Sequence, residues 1–349
     1  MIINRNNNFD LLRLLFALTV FFVHGYDLTL SPELKPLKAF LNSQVAVESF
    51  FIISGFLIFM SYENSKSLVD FFQKRLKRIY PAYFFIILFC GFLGVFISKN
   101  NFGGYFSLDL VKYIFYNLIF LNSAQPSLPG VFTSNPVMSA VNGSLWTIKL
   151  EVSFYVLIPI IVFIFKKNRK HTWAWILIAY LLSFLYNYGL NTLSLHTGND
   201  LYAKLAKQLP GQMSYFLSGA LLFYYLNFFK KHSHFLFVLA LILYFIQFKM
   251  NIFSPLTLAI IVIYFAICIP QLINFNKIGD FSYSIYITHF PIVQFFISIG
   301  AFKLNPIFGL LISFLVVIAF SIFSWNFIEK PFLRKKQYMK VSLKQKKIA

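Results

Sequence analysis

Charged side chains and cysteines are scarce in this chain of 349 residues. Charged residues make up 12% of the sequence, against about 25% in soluble globular domains, and hydrophobic residues make up 58%. The two cysteines, Cys90 and Cys268, lie inside apolar runs, so there is no disulfide framework, no CxxC pair and no zinc spacing. We therefore expect no metal site. The mean hydropathy of +0.70 indicates a membrane protein with several spans.

Acidic residues are particularly few, since 11 Asp and Glu stand against 31 Lys and Arg and give a formal charge of +20. The basic residues are spread over the connections between apolar runs, so they form no single footprint for nucleic acid, and no nucleic-acid partner is expected. They concentrate in alternate connections, which is the pattern of cytoplasmic loops. This bias predicts that both termini lie in the cytoplasm. It also allows the basic tail, residues 334–349, to contact membrane lipid.

Ten apolar runs are long enough to be read as membrane spans. They cover residues 9–28, 43–62, 80–98, 143–165, 172–189, 211–229, 234–249, 254–271, 281–300 and 306–327. Residues 105–122 are apolar but shorter, and they resemble an interfacial or re-entrant segment. The first run contains Arg13 and His24 and has no small-residue cleavage site, so we expect it to be retained. The sequence predicts an all-α transmembrane bundle over residues 1–333 and a cytoplasmic tail over 334–349.

The first run carries ionisable residues, which are costly in a bilayer and usually mark a functional path. Arg13 and His24 are eleven residues apart, so on a helix they share one face and lie roughly 16 Å apart. Asp10 is spaced to pair with Arg13, and Asp27 is spaced to orient the His24 ring. The alternative is that His24 is a core histidine whose ring is satisfied by a backbone carbonyl.

Two further carboxylates fall in the same half of the predicted membrane as His24. Glu48 lies near the outer end of the second span, and Glu151 lies roughly two to three turns below the outer surface in the fourth. Glu151 either contributes to a polar pocket or neutralises Lys149. His289, on the ninth span, is expected nearer the middle of the membrane.

A basic cluster precedes the third span. Arg75 and Arg78 are spaced for one helical face, with Lys74 and Lys77 beside them. Such a cluster either marks the cytoplasmic side alone or, with Arg13, binds a phosphorylated ligand, because guanidinium groups match phosphate oxygens. There is no GxxxxGK[ST] loop, so no ATP site of that kind is indicated.

The order of several short motifs resembles the acyltransferase family 3 of integral membrane proteins. Arg13 and His24 match the family's Arg-x10-His motif, within FDLLRLLFALTVFFVH. The other matching stretches are VESFFIISGFLI with Glu48, RLKRIYP with Arg75 and Arg78, SLWTIKLE with Trp146 and Glu151, IGDFSYSIYITHFP with Ser282, Tyr283 and His289, and FIEKPFLR with Glu329 and Arg334. Two departures are Glu48, where the family commonly has Asp, and Val152, where it often has a second acidic residue.

The resemblance implies an enzyme of the bacterial cytoplasmic membrane that O-acylates a cell-surface or lipid-linked carbohydrate. It implies an acyl-coenzyme A donor, most often acetyl-CoA, arriving from the cytoplasm. Arg13, Arg75 and Arg78 would then hold the coenzyme. His24 would act as a general base or as a nucleophile, supported by Glu151 and Asp27. Pocket support would come from Glu48, Trp146, Ser282, Tyr283 and His289.

Two other functions fit the residues without the resemblance. Intramembrane His and Glu also form proton relays, so a proton-coupled transporter or flippase of a polysaccharide precursor is one alternative. The sequence shows no evident internal repeat, which disfavours the repeat-built transporter folds. A scaffold subunit of a polysaccharide assembly complex is the other alternative, and it leaves the His24 face without a use.

Overall fold

The structure is a computed structural model that describes residues 6–167, 171–246, 252–275 and 279–333. Within these ranges the chain forms helices joined by turns and loops, and no residue is in a β-strand. The α-helices are α1 (Phe9–Thr29), α2 (Lys35–Phe40), α3 (Ser43–Glu63), α4 (Leu68–Leu93), α5 (Phe102–Tyr105), α6 (Leu108–Leu118), α7 (Trp146–Lys167), α8 (Thr172–Thr197), α9 (Asp200–Ala206), α10 (Leu209–Tyr224), α11 (Leu226–Lys231), α12 (Ser233–Phe245), α13 (Ser254–Ile267), α14 (Ser282–Ser298), α15 (Ala301–Leu304) and α16 (Pro306–Ser324). The all-α prediction is confirmed. The predicted tail, residues 334–349, lies outside the described residues.

Six helical stretches in the described residues are long and apolar enough to cross a membrane. They are Phe9–Thr29, Ser43–Glu63, Leu68–Phe96, Gly143–Phe165, Thr172–Thr197 and Pro306–Leu333. The other four predicted spans fall on shorter helices, α10, α12, α13 and α14. The 13 residues of α12 extend about 20 Å, less than the hydrocarbon thickness of about 30 Å. The total of ten spans and the cytoplasmic termini therefore stay predictions.

The third span begins earlier than the sequence predicted. The apolar run starts at residue 80, but helix α4 starts at Leu68 and continues through Pro81 to Leu93. Lys and Arg are good helix formers, so the basic cluster extends the helix although it ends the apolar run. Arg75 and Arg78 are consequently fixed on the same helix that continues as the apolar span.

Contacts divide the chain into two compact units. The first unit comprises Met1–Phe16, Gln44–Phe71 and Leu150–Phe275. Within it, α3 and α10 cross in backbone contact: a Cβ atom on Gly55 would lie 1.9 Å from the Phe216 carbonyl oxygen, and one on Gly219 would lie 2.1 Å from that of Ile52. Glycine at both positions permits this close approach, which is a common way to pack membrane helices.

The second unit comprises Ala17–Ser43, Phe72–Lys149 and Asn276–Ala349. Its described core is the pair α14 and α16, to which the loop before α7 is attached. Gln294 on α14 donates hydrogen bonds to the carbonyl oxygens of Met138 and Ala140, both at 2.9 Å, and accepts one from Asn135 at 2.8 Å. This single buried amide therefore fixes the loop against the helix.

Candidate active site

Helices α1 and α14 bring together two histidines that are far apart in the sequence. The His24 Nδ1 atom lies 2.8 Å from the His289 Nε2 atom, and the rings stack with centroids 5.1 Å apart. His289 is fully buried and His24 is half-buried. The Phe290 ring meets His24 edge-on, with centroids 5.6 Å apart. The structure thus joins two histidines that the sequence predicted at different depths.

The hydrogen bonds of His289 determine which nitrogen of each ring carries a proton. Its Nδ1 atom lies 3.2 Å from the Ile285 carbonyl oxygen, and a carbonyl can only accept, so Nδ1–H is the donor. In the neutral ring the Nε2 atom then has a lone pair, and the His24 Nδ1–H donates to it. We call this chain, from the Ile285 carbonyl through His289 to His24, the histidine relay.

The relay leaves the His24 Nε2 atom with a lone pair. No described residue hydrogen-bonds to this nitrogen, and it is not among the buried polar atoms without a partner. It therefore keeps some accessible surface, which a nitrogen that takes up a proton from a substrate needs. When Nε2 takes up a proton, the ring becomes an imidazolium whose Nδ1–H bond to His289 is charge-assisted and stronger.

The segment that leads into α7 holds α14 in place around His289. The Asn142 side-chain amide donates to the Ile287 carbonyl oxygen at 2.7 Å, and the Ser144 hydroxyl donates to that of Tyr286 at 3.3 Å. The Thr147 and Tyr286 hydroxyls lie 2.8 Å apart. The contacts of the SLW motif in the second unit therefore fix the helix that carries His289.

Gly143 belongs to the same segment and faces Phe290. A Cβ atom at this position would lie 2.7 Å from the tip of the Phe290 ring, which packs on His24. A larger residue would displace that ring, so glycine allows the edge-on contact. Trp146 follows as the half-buried first residue of α7.

Asp27 lies one turn beyond His24 on α1, as the sequence indicated. Its carboxylate accepts a hydrogen bond from the Lys38 ammonium at 2.8 Å, and it is close enough to act electrostatically on the His24 ring. The hydrogen bond to Asp27 raises the pKa of Lys38 above its ordinary value.

In the described ranges, no three His, Cys, Asp or Glu side chains cluster as they would around a metal ion.

A charged group lies at the start of α14. Arg78 on α4 forms an ion pair with Asp280, whose other oxygen accepts a hydrogen bond of 2.5 Å from the Ser282 hydroxyl. The Tyr283 hydroxyl donates to the Ile79 carbonyl oxygen at 3.1 Å. These contacts join α4 to α14. Arg75 is half-buried one turn before Arg78.

The remaining predicted carboxylates lie in the first unit. Glu48 is buried and accepts a hydrogen bond from Gln44 at 3.0 Å, and the Tyr215 hydroxyl interacts with the same carboxylate. Glu151 is half-buried and accepts a hydrogen bond from the Tyr155 hydroxyl at 2.6 Å. Both carboxylates are therefore oriented by hydroxyl or amide groups of their own unit.

Arg13 also belongs to the first unit. It pairs with Asp10 at 2.5 Å, so the pairing predicted from their spacing is confirmed. The guanidinium is therefore oriented by a carboxylate one turn before it on α1.

Glu329 forms a buried polar cluster near the end of the described chain. One of its oxygens accepts a hydrogen bond of 2.5 Å from the Ser284 hydroxyl, which also lies 2.7 Å from that of Ser324. The other oxygen is buried without a partner among the described residues. Arg334, from the same sequence motif, lies outside the described residues.

Comparison with known proteins identifies the family. The model of the acyltransferase domain of family 3 matches residues 6–326, which is nearly the whole chain. The chain belongs to the acyltransferase 3 family. The O-acetyl transferase of Shigella phage Sf6 is 29% identical over 336 residues, which cover 95% of this chain and 97% of that protein. Nodulation protein 10 of Rhizobium leguminosarum bv. viciae is 34% identical over 174 residues, which cover 47% of this chain and 46% of that protein. No solved structure matches the chain.

Membership of this family makes the multi-pass membrane protein an acyltransferase, as the motifs predicted. Sequence reasoning missed two parts of its site. Asp280 lies in the GDFSYS motif, two residues before Ser282. That spacing was the feature of the sequence that could have pointed to Asp280. The Ile285 carbonyl had no signal, because a backbone acceptor one helical turn before a histidine exists in every helix.

Proposed function

We propose that this acyltransferase transfers an acetyl group from acetyl-CoA to a hydroxyl group of a carbohydrate, with the His24 Nε2 atom at the reacting centre. The observation that carries this proposal is the histidine relay, which leaves that nitrogen unprotonated and accessible. The name of the Sf6 relative supports an acetyl group. The family resemblance supports a surface or lipid-linked carbohydrate as the acceptor.

In the proposed reaction, Nε2 removes the proton of the acceptor hydroxyl as its oxygen attacks the thioester carbonyl. The carbon–sulfur bond breaks, and the departing thiolate takes the proton from Nε2, so the products are an ester and a thiol. The same lone pair also serves a covalent route, in which Nε2 first takes the acyl group and then passes it to the hydroxyl. Rapid quenching followed by mass analysis of the peptide containing His24 separates the two routes.

Arg75 and Arg78 are the proposed contacts for the coenzyme phosphates. Arg78 already holds a carboxylate, Asp280, and its side chain is 21% exposed, so an anion fits this end of α4. Arginine presents several donors in a fixed plane and suits phosphate better than lysine does. Arg13 is a further proposed contact, from the sequence motif on α1. These residues would bind and orient the donor, and the thioester supplies the acyl group.

The other predicted residues have supporting roles in this proposal. Asp27 and Glu151 would stabilise the charged form of His24, as the sequence motifs suggested. Glu48, Trp146, Ser282 and Tyr283 would shape the pocket and fix the helices that carry the reacting groups. We place the enzyme in the bacterial cytoplasmic membrane with both termini in the cytoplasm, because the basic residues are biased to that side.

Replacement of His24 tests the proposal. Positioned proton transfer contributes about 10²–10⁴-fold, so His24→Ala should lose that much acetylation while the protein still inserts into the membrane. His196→Ala is the matched control, because His196 is exposed on α8, and it should keep full activity. Acetylation is measured by mass spectrometry of the surface glycans. Near-normal acetylation by His24→Ala would refute the role of this residue.

An assay with the purified protein separates the transporter alternative. An acetyltransferase adds acetyl groups to its acceptor when the purified protein, acetyl-CoA and acceptor are mixed in detergent, where no compartments exist. A flippase or a proton-coupled transporter shows no acetylation under these conditions.

A further inference from the structure

The second unit contains a large apolar cavity beside the histidine relay. Its volume is about 460 Å³, and it lies between the end of α4, the loop before α7, the second half of α14, and α16. No charged side chain of the described residues lines it, and six phenylalanines contribute to its wall. A cavity of about 150 Å³ binds benzene, so this one has room for a chain about three times as large.

The cavity begins next to the relay. Pro291 and Ile292, which directly follow the His289–Phe290 pair on α14, belong to its wall. Phe296, at its other end, lies about 10 Å beyond His289 along the helix axis, and Ser282, the first residue of α14, lies about 10 Å before it. Asp280 precedes Ser282 by two residues. The cavity is therefore on the opposite side of the relay from the Arg78–Asp280 pair.

The cavity also opens to the outside of the helix bundle. Five wall residues are exposed: Phe96 to 81%, Leu93 to 44%, Val316 to 38%, and Phe89 and Phe295 to 37% each. Val316 lies within a stretch apolar enough to cross the membrane. A hydrocarbon chain can therefore enter the cavity from the lipid without crossing water.

One wall of the cavity is a loop that is held in an unusual conformation. Phe132 has a φ angle of 56°, in the left-handed region that strains a non-glycine residue. Strain of this kind persists only where the surroundings determine the conformation, and here Gln294 binds the loop at Met138 and Ala140. The wall is thus a fixed part of the structure.

A cation lies at the rim of the cavity. Lys99 follows the wall residue Ile97 by two positions, is exposed, and donates a hydrogen bond to the Ser134 hydroxyl. Its backbone amide donates to the Gly130 carbonyl oxygen at 3.0 Å, which joins the rim to the loop. No carboxylate of the described residues pairs with this lysine. Its charge is available to a phosphate group.

We propose that this cavity binds the hydrocarbon chain of the acceptor, so that the acceptor is a glycolipid whose phosphate lies at Lys99 and whose sugar hydroxyl lies at His24. The inference rests on the proposed function for the assignment of the hydroxyl. The proposed function also has the donor enter from the Arg78 end, so its acyl group would not need a cavity on the other side of the relay. An apolar chain beside a lysine fits a lipid phosphate better than it fits a soluble sugar.

Photo-crosslinking in nanodiscs tests the occupant. The probe is a polyprenyl phosphate sugar with a diazirine on its chain, and the labelled peptides are identified by mass spectrometry. We expect labels within residues 86–97, 128–132, 291–296 and 316–320, and competition by the unlabelled glycolipid. Equal competition by phosphatidylglycerol would show that the cavity holds ordinary lipid. Competition by palmitoyl-CoA instead would show that it holds the donor chain. Either result, or labels elsewhere, overturns the proposal.

Two neighbouring tryptophan substitutions provide a matched control. Val316→Trp fills the cavity, so labelling and kcat/KM for the glycolipid should each fall by at least about tenfold. Leu315→Trp places the same side chain at an exposed position outside the wall and should change neither value. Equal behaviour of the two variants contradicts the proposal.

The role of the rim lysine has its own test. Lys99→Gln should weaken binding of the polyprenyl phosphate sugar but leave binding of the corresponding uncharged polyprenol unchanged, and equal effects on both overturn the phosphate contact. His24→Ala keeps the cavity intact, so it should lose activity yet be labelled normally. If His24→Ala stays active, the proposed function fails while the labelling result still decides the cavity's occupant.

Discussion

The start and the middle of helix α14 hold their ionisable side chains in different ways. At the start, Asp280 is paired with the cation Arg78, and the two side chains are 12% and 21% exposed. In the middle, His289 is fully buried and held by uncharged groups, the Ile285 carbonyl and the His24 ring. A charge pair suits a region that meets solvent and a charged ligand. A neutral chain of hydrogen bonds suits a buried site, because burying an unpaired charge is costly.

This difference would let one helix contribute to both donor binding and proton transfer in the proposed function. The charged start joins α4 to α14, and in the proposed function it presents guanidinium groups to the donor. The neutral middle fixes the tautomer of His24, so that its proton acceptor is ready before any substrate binds. The proposed function needs both regions, and each can be altered without changing the other.

The largest effect is expected from breaking the neutral region at His289. His289→Ala removes the acceptor that fixes the His24 tautomer, so kcat should fall by about 10–100-fold, the range known for groups that orient metal-bound histidines, with little change in KM. His289→Gln should recover part of the loss, because its amide oxygen can accept from His24 Nδ1–H. Steady-state kinetics measure both values. Equal kcat values for the Ala and Gln variants would mean that His289 only fills space.

The charged region should respond in stability. Arg78→Ala leaves the mostly buried Asp280 carboxylate without its cation, which should lower the free energy of unfolding by about 1–3 kcal/mol. The double variant Arg78→Ala with Asp280→Asn should be more stable than Arg78→Ala, because no unpaired charge remains. Chemical unfolding in detergent measures these differences. If the double variant loses as much stability as Arg78→Ala and Asp280→Asn lose separately when added together, the two residues are not coupled.

A smaller effect is expected from the hydrogen bond that supports Asp280. Ser282→Ala removes the hydroxyl that donates to this carboxylate, which should lower stability by about 1 kcal/mol. Ser298→Ala is the control, because its hydroxyl bonds only within the exposed end of the same helix. Thermal unfolding curves distinguish the two variants, and identical shifts would contradict a specific role for Ser282.

The smallest effect is expected at the pair of Asp27 and Lys38, which brings a charge close to the neutral region. Lys38→Met should lower stability by less than about 1 kcal/mol, because the pair is exposed. The pKa of Lys38 is raised in the folded protein, so the contribution of the pair is present at neutral pH and is lost as the pH rises through that raised value. Wild type and Lys38→Met should therefore converge in stability at alkaline pH. A difference that persists there would contradict the pairing.

Much of the fold could be predicted from the sequence, because apolar runs of span length have few other uses. The start of α4 could not, since hydropathy ends at the basic cluster whereas helix propensity does not. The count of spans is least determined where helices are short, as in α12 and α13.

The site was predictable only in part. His24 stood out as a titratable group in an apolar run, and its motif with Arg13 led to the family. Its partner His289 is 265 residues away, and no local pattern shows that two such residues touch. Likewise, the Lys38 partner of Asp27 lies on a separate short helix, α2, whose position depends on the tertiary structure.

The tautomer of His24 tests the central claim most directly. Nitrogen-15 NMR of the histidine-labelled protein in nanodiscs reports which ring nitrogen carries the proton, and His24→Gln identifies the His24 signals among those of the six histidines. We predict a neutral His24 ring with the proton on Nδ1 and none on Nε2, which changes when His289 is replaced by Ala. A proton on Nε2 in the wild-type protein at neutral pH would contradict the relay, and with it the proposed role of His24 as the acceptor of the substrate proton.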